Sequence, residues 1–238
     1  TPEHIEIIKA NFNSITAENV MKPGEMHPRE GVWNFEQADA VAKFCRENGI
    51  KLRGHCLVWY SQFANWMFTD ENGQPVSKEV FYERLKDHIF TVVNRYKDVI
   101  YCWDVVNEAI NDTTNNYRGA SESSWAAVYG DQSNEYIIKA FQYANKYAPA
   151  SLELYYNDYN EQFKTDTLYD FVQTLKDEEG NYLIDGIGFQ AHLYTEDSQE
   201  DYFATMDKLA SLGIKISLTE LDVCLGSWPV IKPASEDN

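Results

Sequence analysis

Apolar residues fall along this chain in two alternating rhythms. Six short runs are strand-like, several of them apolar on both faces: Phe12–Glu18, Lys51–Val58, Tyr101–Val106, Leu152–Tyr156, Gly186–Gln190 and Lys215–Thr219. Runs of that kind read as strands covered on both faces. Between them apolar positions recur at three- and four-residue steps, the mark of a helix with one buried stripe. Phe81, Leu85, Ile89, Val92, Val93 and Tyr96 make one stripe. Ile137, Ala140, Phe141 and Ala144 make a second, and Leu168, Phe171, Val172 and Leu175 a third. Another helix is expected at Ile5–Ala10, ahead of the first strand. Boundary residues agree with this reading. Ser77 and Ser198 can cap helices, Asn34 with Gln37 spells a capping box, and Gly49 and Gly213 stand where a helix must stop.

Strand–helix alternation implies an α/β fold with a parallel sheet. Repeats and low-complexity tracts are absent from the sequence, so residues 1–238 are expected to form a single domain. A (β/α)₈ barrel needs eight strands in about 250 residues. Six are counted here, followed by a tail, Leu225–Asn238, expected to be irregular. A barrel reading therefore expects the first and last strands to lie outside the given chain.

Composition narrows the class. Sixteen Tyr, 12 Phe and 6 Trp in 238 residues are far too many aromatics for a disordered chain. Apolar runs stay well short of the roughly 20 residues that cross a bilayer, and no signal segment opens the chain. With 20 Lys and Arg against 38 Asp and Glu the net charge is −18, which disfavours nucleic acid and anionic membranes as partners. The four cysteines, Cys45, Cys56, Cys102 and Cys224, form no CxxC pair and are expected to be buried free thiols. Glycine-rich phosphate loops, GxSxG, HExxH and EF-hand patterns are missing, so no metal or cofactor is expected.

Candidate chemistry collects where parallel α/β folds place their sites, at the carboxyl ends of strands. Those ends carry Glu18 and Asn19, His55 with Trp59, Asn107 and Glu108, Asn157 and Asp158, Gln190 with His192, and Glu220 with Asp222. Surface polarity beside a loop explains any one of them; six together point to a shared site. Glu108 lies between apolar stretches, where ionisation is costly, which suits a proton donor. Glu220 has His192 and Asp222 as expected neighbours, and a hydrogen-bonded imidazole favours a carboxylate nucleophile. Two carboxyls held in opposite protonation states are what glycoside hydrolysis requires. Trp59, Trp66, Tyr159, Tyr194 and Trp228 could stack on sugar rings, whereas Trp103 sits inside a strand and reads as core. His4, His27 and His88 read as surface or helix residues.

At these residues the chain resembles the endo-β-1,4-xylanases of glycoside hydrolase family ten. Six segments carry the likeness, in order: 15–22 (ITAENVMK), 53–62 (RGHCLVWYSQ), 103–109 (WDVVNEA), 156–160 (YNDYN), 186–192 (GIGFQAH) and 218–222 (LTELD). The resemblance implies a (β/α)₈ barrel with the acid/base at the end of strand four and the nucleophile at the end of strand seven. Counting one strand before the chain, Glu108 and Glu220 take those places. Asn107 would hold the 2-hydroxyl at the cleavage point, and His192, backed by Asp222, would bond Glu220. Glu18, Asn19 and Lys22 would bind sugars on the non-reducing side. His55, Trp59 and Gln62 would line the cleavage subsite, and Asn157, Tyr159 and Gln190 the leaving-group side. The implied reaction is retaining hydrolysis of internal xylosidic bonds of xylan or xylo-oligosaccharides. The protein is expected to be a monomer without membrane insertion, secreted or cell-surface because its substrate is a polymer. Tyr60 departs from the family, which commonly has histidine there; a tyrosine also donates and accepts, so tolerance is expected. Two alternatives stay open: a non-catalytic xylan-binding module, and a related enzyme acting on mannan or cellulose.

Overall fold

The computed structural model describes residues 1–128 and 134–227, and the backbone of 230–231. Six parallel strands lie side by side in chain order: β1 (Ser14–Thr16), β2 (Lys51–Trp59), β3 (Ile100–Asn107), β4 (Glu153–Asp158), β5 (Gly186–Phe189) and β6 (Lys215–Leu218). Helix α1 (Pro2–Asn11) precedes them. Between successive strands run α2 (Glu36–Asn48), α3 (Lys78–Tyr96), α4 (Glu135–Tyr147), α5 (Thr165–Thr174) and α6 (Gln199–Ala210). Every strand and helix expected from the apolar rhythms is present. Parallel neighbours cannot be joined by a tight turn, so each strand returns through a helix, and the sheet is built from repeated βαβ units.

β2 and β3 are the centre of the core. Every residue from Leu52 to Val58 and from Cys102 to Asn107 is buried. The stripe Phe81, Leu85, Ile89, Val92 and Val93 on α3 is fully buried, as are Ile137, Ala140, Phe141 and Ala144 on α4. Each such large side chain contributes about 1.5–3 kcal/mol relative to exposure. Trp103 is core, as expected, and it dictates its neighbour: a Cβ at Gly54 would lie 2.2 Å from the indole. Cys45, Cys56 and Cys102 are buried free thiols, whereas Cys224 is free but only half-buried.

Helix ends match in part. Ser77 accepts from the Val80 amide (3.4 Å) and Ser198 from the Asp201 amide (3.2 Å), and Gly49 closes α2 in the left-handed region at φ 65°. The Asn34–Gln37 capping box does not form: Phe35 occupies the cap position of α2 and makes no side-chain cap. The tail is not wholly irregular, since Gly226–Ser227 pairs antiparallel with Val230–Ile231.

The β6 flank carries exposed apolar side chains. Phe203, Leu218, Leu221 and Val223 are 60%, 47%, 56% and 59% exposed and line an apolar cavity of about 480 Å³ beside α6. No helix among the described residues is long and apolar enough to cross a membrane.

Candidate active site

Main-chain geometry at the end of β3 starts the site. Consecutive strand residues normally point to opposite faces. Glu108, immediately after β3, adopts φ 55°, and this left-handed step brings its side chain beside that of Asn107, whose Nδ2 donates to Glu108 Oε1 at 3.2 Å. A non-glycine residue in that region costs on the order of 1–3 kcal/mol and persists only where its surroundings fix it. The fixing groups are evident. Glu108 N donates to the Asn157 carbonyl (2.9 Å), and the Ala109 and Ile110 amides both donate to Tyr156 Oη (2.9 and 3.2 Å).

Three N–H groups hold the Glu108 carboxyl. Gln190 Nε2 (2.8 Å) and Asn107 Nδ2 donate to Oε1, and Trp59 Nε1 donates to Oε2 (2.9 Å). Its surroundings are thus rich in donors rather than apolar, although the residue is only 8% exposed. Glu220, two residues past β6, is fixed by its amide on the Gln190 carbonyl (3.1 Å). Its Oε1 accepts from Asn157 Nδ2 at 2.9 Å, and Oε2 lies 3.5 Å from His192 Nε2. His192 Nδ1 faces Asp222 Oδ2 at 3.0 Å because 192–194 and 222–224 run parallel in register. The Glu220 side chain is 34% exposed, so the two carboxyls differ in solvation.

Asn157 joins them. The same Nδ2 that donates to Glu220 donates to Asn107 Oδ1 at 3.0 Å, and Asn107 in turn donates to Glu108. Two glutamates 112 positions apart in sequence are therefore ends of one relay of buried amides.

A cavity of about 400 Å³ opens on the Glu220 side, lined by Glu18, Lys22, His55, His192 and Glu220. Lys22 Nζ donates to Asn19 Oδ1 (2.9 Å) and lies 4.6 Å from the centre of the Trp59 ring. His55 Nδ1 meets Asp104 Oδ2 at 3.0 Å, and Arg53 pairs with the other oxygen at 2.5 Å. Burial works against the Asp104 carboxylate, but the Arg53 charge and the His55 contact outweigh it and hold the carboxyl below its ordinary range. Gln62 is exposed, and its carbonyl accepts from the Gly24 amide at 2.9 Å.

Past Glu108, Tyr159 Oη accepts from Arg118 Nη2 (3.1 Å) and faces Asp112 (3.3 Å). Burial pushes the Tyr159 phenol up to about 12, so it stays a neutral donor. A second cavity of about 300 Å³ lies beyond it, between Asp112, Asn160, Tyr194 and Asp197. Among the described residues no His, Cys, Asp and Glu cluster is arranged to hold a metal ion.

Comparison with known proteins matches the chain, over residues 1–236, to the family described as Glycosyl hydrolase family 10. The chain belongs to glycosyl hydrolase family 10. Within this family it is 48% identical over 233 residues to an endo-1,4-β-xylanase/feruloyl esterase of Xylanibacter ruminicola, covering 93% of this chain and 32% of the relative. Identity to endo-1,4-β-xylanase A of Halalkalibacterium halodurans is 42% over 238 residues, covering 94% and 58%. The crystal structure of an endo-1,4-β-xylanase from Caldicellulosiruptor owensensis superposes with a TM-score of 0.87 at 40% identity, covering 98% of this chain and 71% of that one. The chain thus spans about a third and about three fifths of the two curated relatives. The family 10 fold is the (β/α)₈ barrel, to which the six strands described here belong.

Not every expected aromatic reaches the family 10 site. Trp66 packs on His27 instead, ring centres 4.4 Å apart, its Nε1 donating to the His27 carbonyl at 2.9 Å. Trp228 falls outside the described residues. Of the histidines read as surface or helix residues, His88 does lie on helix α3, whereas His27 lies on neither surface nor helix; both are buried (0% and 2% exposed). Residues that carry the site from behind were missed. Arg118 donates from Nε to the Glu108 carbonyl (2.8 Å), and Trp125 Nε1 holds the Trp59 carbonyl (2.7 Å). Lys164 and Asp158, both fully buried, pair at 2.7 Å behind Tyr156. Of that pair Asp158 was visible as a strand-end residue, and Lys164 was not.

Proposed function

We propose that this chain carries the catalytic machinery of a retaining endo-1,4-β-xylanase, with Glu220 as nucleophile and Glu108 as acid/base. One observation carries the reading: the amide relay through Asn107 and Asn157 that ends in the two carboxyls. Glu220 attacks the anomeric carbon, its orientation set by Asn157 and by the Asp222-backed His192. Glu108 gives its proton to the departing glycosidic oxygen, then takes one from the water that releases the sugar. Asn107 stands between both carboxyls, where a hydrogen bond to the 2-hydroxyl strengthens as charge develops at the anomeric carbon. Glu18, Asn19 and Lys22 line the Glu220 side, where hydroxyls of the non-reducing sugars would bind, and Trp59 and His55 wall the cleavage subsite. Xylan as substrate is supported by the names of the relatives. A polymeric substrate goes with secretion or surface display, and the protein would act as a monomer.

The test is hydrolysis of xylan and of a chromogenic xylobioside by wild type, Glu108→Ala and Glu220→Ala. Both variants are expected to lose turnover of xylan while still binding xylo-oligosaccharide, Glu220→Ala also losing the chromogenic substrate, and the first sugar formed by wild type is expected to be the β-anomer. A retaining pair requires carboxyls about 5–5.5 Å apart, and an inverting pair roughly 6.5–9.5 Å. Release of the α-anomer first removes the nucleophile role. A wild type that binds xylan and liberates no reducing ends makes the chain a binding module instead.

A further inference from the structure

The residue that holds Glu108 in its left-handed conformation comes from ten positions further along the chain. After Glu108, residues Ile110–Asn111 pair antiparallel with Asn116–Tyr117, and this hairpin returns Arg118 to the side of Glu108. The Arg118 amide closes the hairpin on the Ala109 carbonyl at 2.9 Å. The residue is 6% exposed and its guanidinium serves four partners at once, one of them Glu122, whose Oε1 lies 3.8 Å from Nη1. Nε donates to the Glu108 carbonyl (2.8 Å), Nη2 donates to Tyr159 Oη (3.1 Å), and the flat face lies 4.0 Å from the centre of the Tyr60 ring.

Each contact addresses a weakness of the Glu108 turn. A left-handed glutamate directs its carbonyl away from the strand ladder, where a buried oxygen without a donor costs about 1–3 kcal/mol. Arg118 Nε supplies that donor. The remaining N–H groups and the ring face on Tyr60 lock the guanidinium, so the donor is pre-organised. A lysine could satisfy the carbonyl as a point charge but could not stack and fork at the same time.

We propose that Arg118, clamped by Tyr60, is a positioning residue for the acid/base: it fixes the main chain of Glu108 so that the carboxyl meets the glycosidic oxygen. This rests on Glu108 being the proton donor. The tyrosine that departs from the family's usual histidine thereby gains a role, because it is the ring on which the guanidinium rests.

Leaving-group dependence tests it. The dinitrophenyl group of a dinitrophenyl xylobioside departs as a stable phenolate and needs no proton, whereas the leaving sugar of an unsubstituted xylo-oligosaccharide needs one. General acid catalysis is worth about 10²–10⁴-fold, and a misplacement near 1 Å costs about 10²-fold. Arg118→Lys is therefore expected to lower kcat/KM about 10²-fold on the oligosaccharide and less than about 3-fold on the dinitrophenyl substrate. Arg118→Gln, compared with wild type for its melting temperature, provides the second variant if the lysine form does not fold. Equal losses on both substrates assign Arg118 a purely structural part and overturn the proposal. Glu108→Ala is the reference: if its loss is selective and that of Arg118→Lys is not, the Arg118 inference alone fails. If the Glu108→Ala loss is not selective either, the acid reading fails with it.

Discussion

His27 and His88 make stability depend on pH in a way that can be measured residue by residue. Their Nδ1 atoms lie 3.3 Å apart, sharing one hydrogen bond inside a stack in which the Trp33 ring lies 3.5 Å from that of His27. Charging either ring buries a cation, and charging both places two like charges in contact. Burial lowers His27 to about 4, with Glu30 pulling the other way, and burial together with His27 lowers His88 to about 3. Unfolded, each titrates near 6.5. As pH falls below that value the unfolded chain binds protons that the folded chain refuses, so stability is lost. The slope is about 1.4 kcal/mol per pH unit for each ring, and His88 alone removes about 2.5 kcal/mol between pH 7.5 and 4.5. Against a total of about 5–15 kcal/mol that is a large share. The wild-type curve does not isolate the effect, because burial lifts Glu161 to about 8 and gives it the opposite sign. Replacing His88 by glutamine removes one titration and leaves Glu161 in place. Urea melts at pH 7.5, 6.0 and 4.5 should show wild type losing about 2.5 kcal/mol more than the variant across that range. A difference below about 0.5 kcal/mol, near the uncertainty of such melts, would mean that His88 is already charged or hydrated in the folded state.

Two further outcomes follow from single contacts. Glu161→Gln removes a carboxyl that the folded protein keeps protonated up to about pH 8, so wild-type stability should fall relative to the variant's as pH rises from about 4.5 to 8, the two histidines contributing equally to both proteins. Thermal melts at pH 5 and 9 check this; a gap between the two proteins that narrows towards pH 9 refutes it. Gly188→Ala would place a Cβ 2.3 Å from Asn157 Oδ1 and break the relay at the amide that reaches Glu220. A cost of about 1–3 kcal/mol in stability is expected, with a loss of about 10²-fold in kcat on xylan. Near-normal kcat at reduced melting temperature would show that Asn157 does not orient Glu220.

The fold was legible because the same physics that buries a strand or helix writes its period into the sequence. β2 and β3 are largely apolar since both faces are covered, their polar residues Arg53, His55 and Asp104 pairing with one another, and the α3 stripe lies at three- and four-residue steps since one face is buried. His88 carried a readable signal too, for it falls between Leu85 and Ile89 on the stripe that α3 buries. His27 did not, because its burial depends on Trp33 and Trp66 arriving from other segments. The failed capping box has a similar cause: whether Asn34 or Phe35 starts α2 depends on how the preceding loop meets the core.

The site divides along the same line. Strand ends announced which residues face the barrel mouth, so Glu108, Glu220, Asn157, Gln190 and His192 were all visible from position alone. What position could not convey is the dihedral angle that joins Asn107 and Glu108 on one side. That angle depends on the Asn157 carbonyl, the Tyr156 hydroxyl and the Arg118 guanidinium, from residues 49, 48 and 10 places away from Glu108. Hairpin 110–117 between Glu108 and Arg118 is polar and reads as an ordinary loop, which conceals the arginine at its end. A carboxyl can be recognised from its neighbours in sequence; its aim is set by main-chain partners that sequence spacing does not reveal. Substitutions such as Gly188→Ala and Arg118→Lys, which leave both glutamates in place and alter only what they rest on, are therefore the ones that separate a correct pair of residues from a working one.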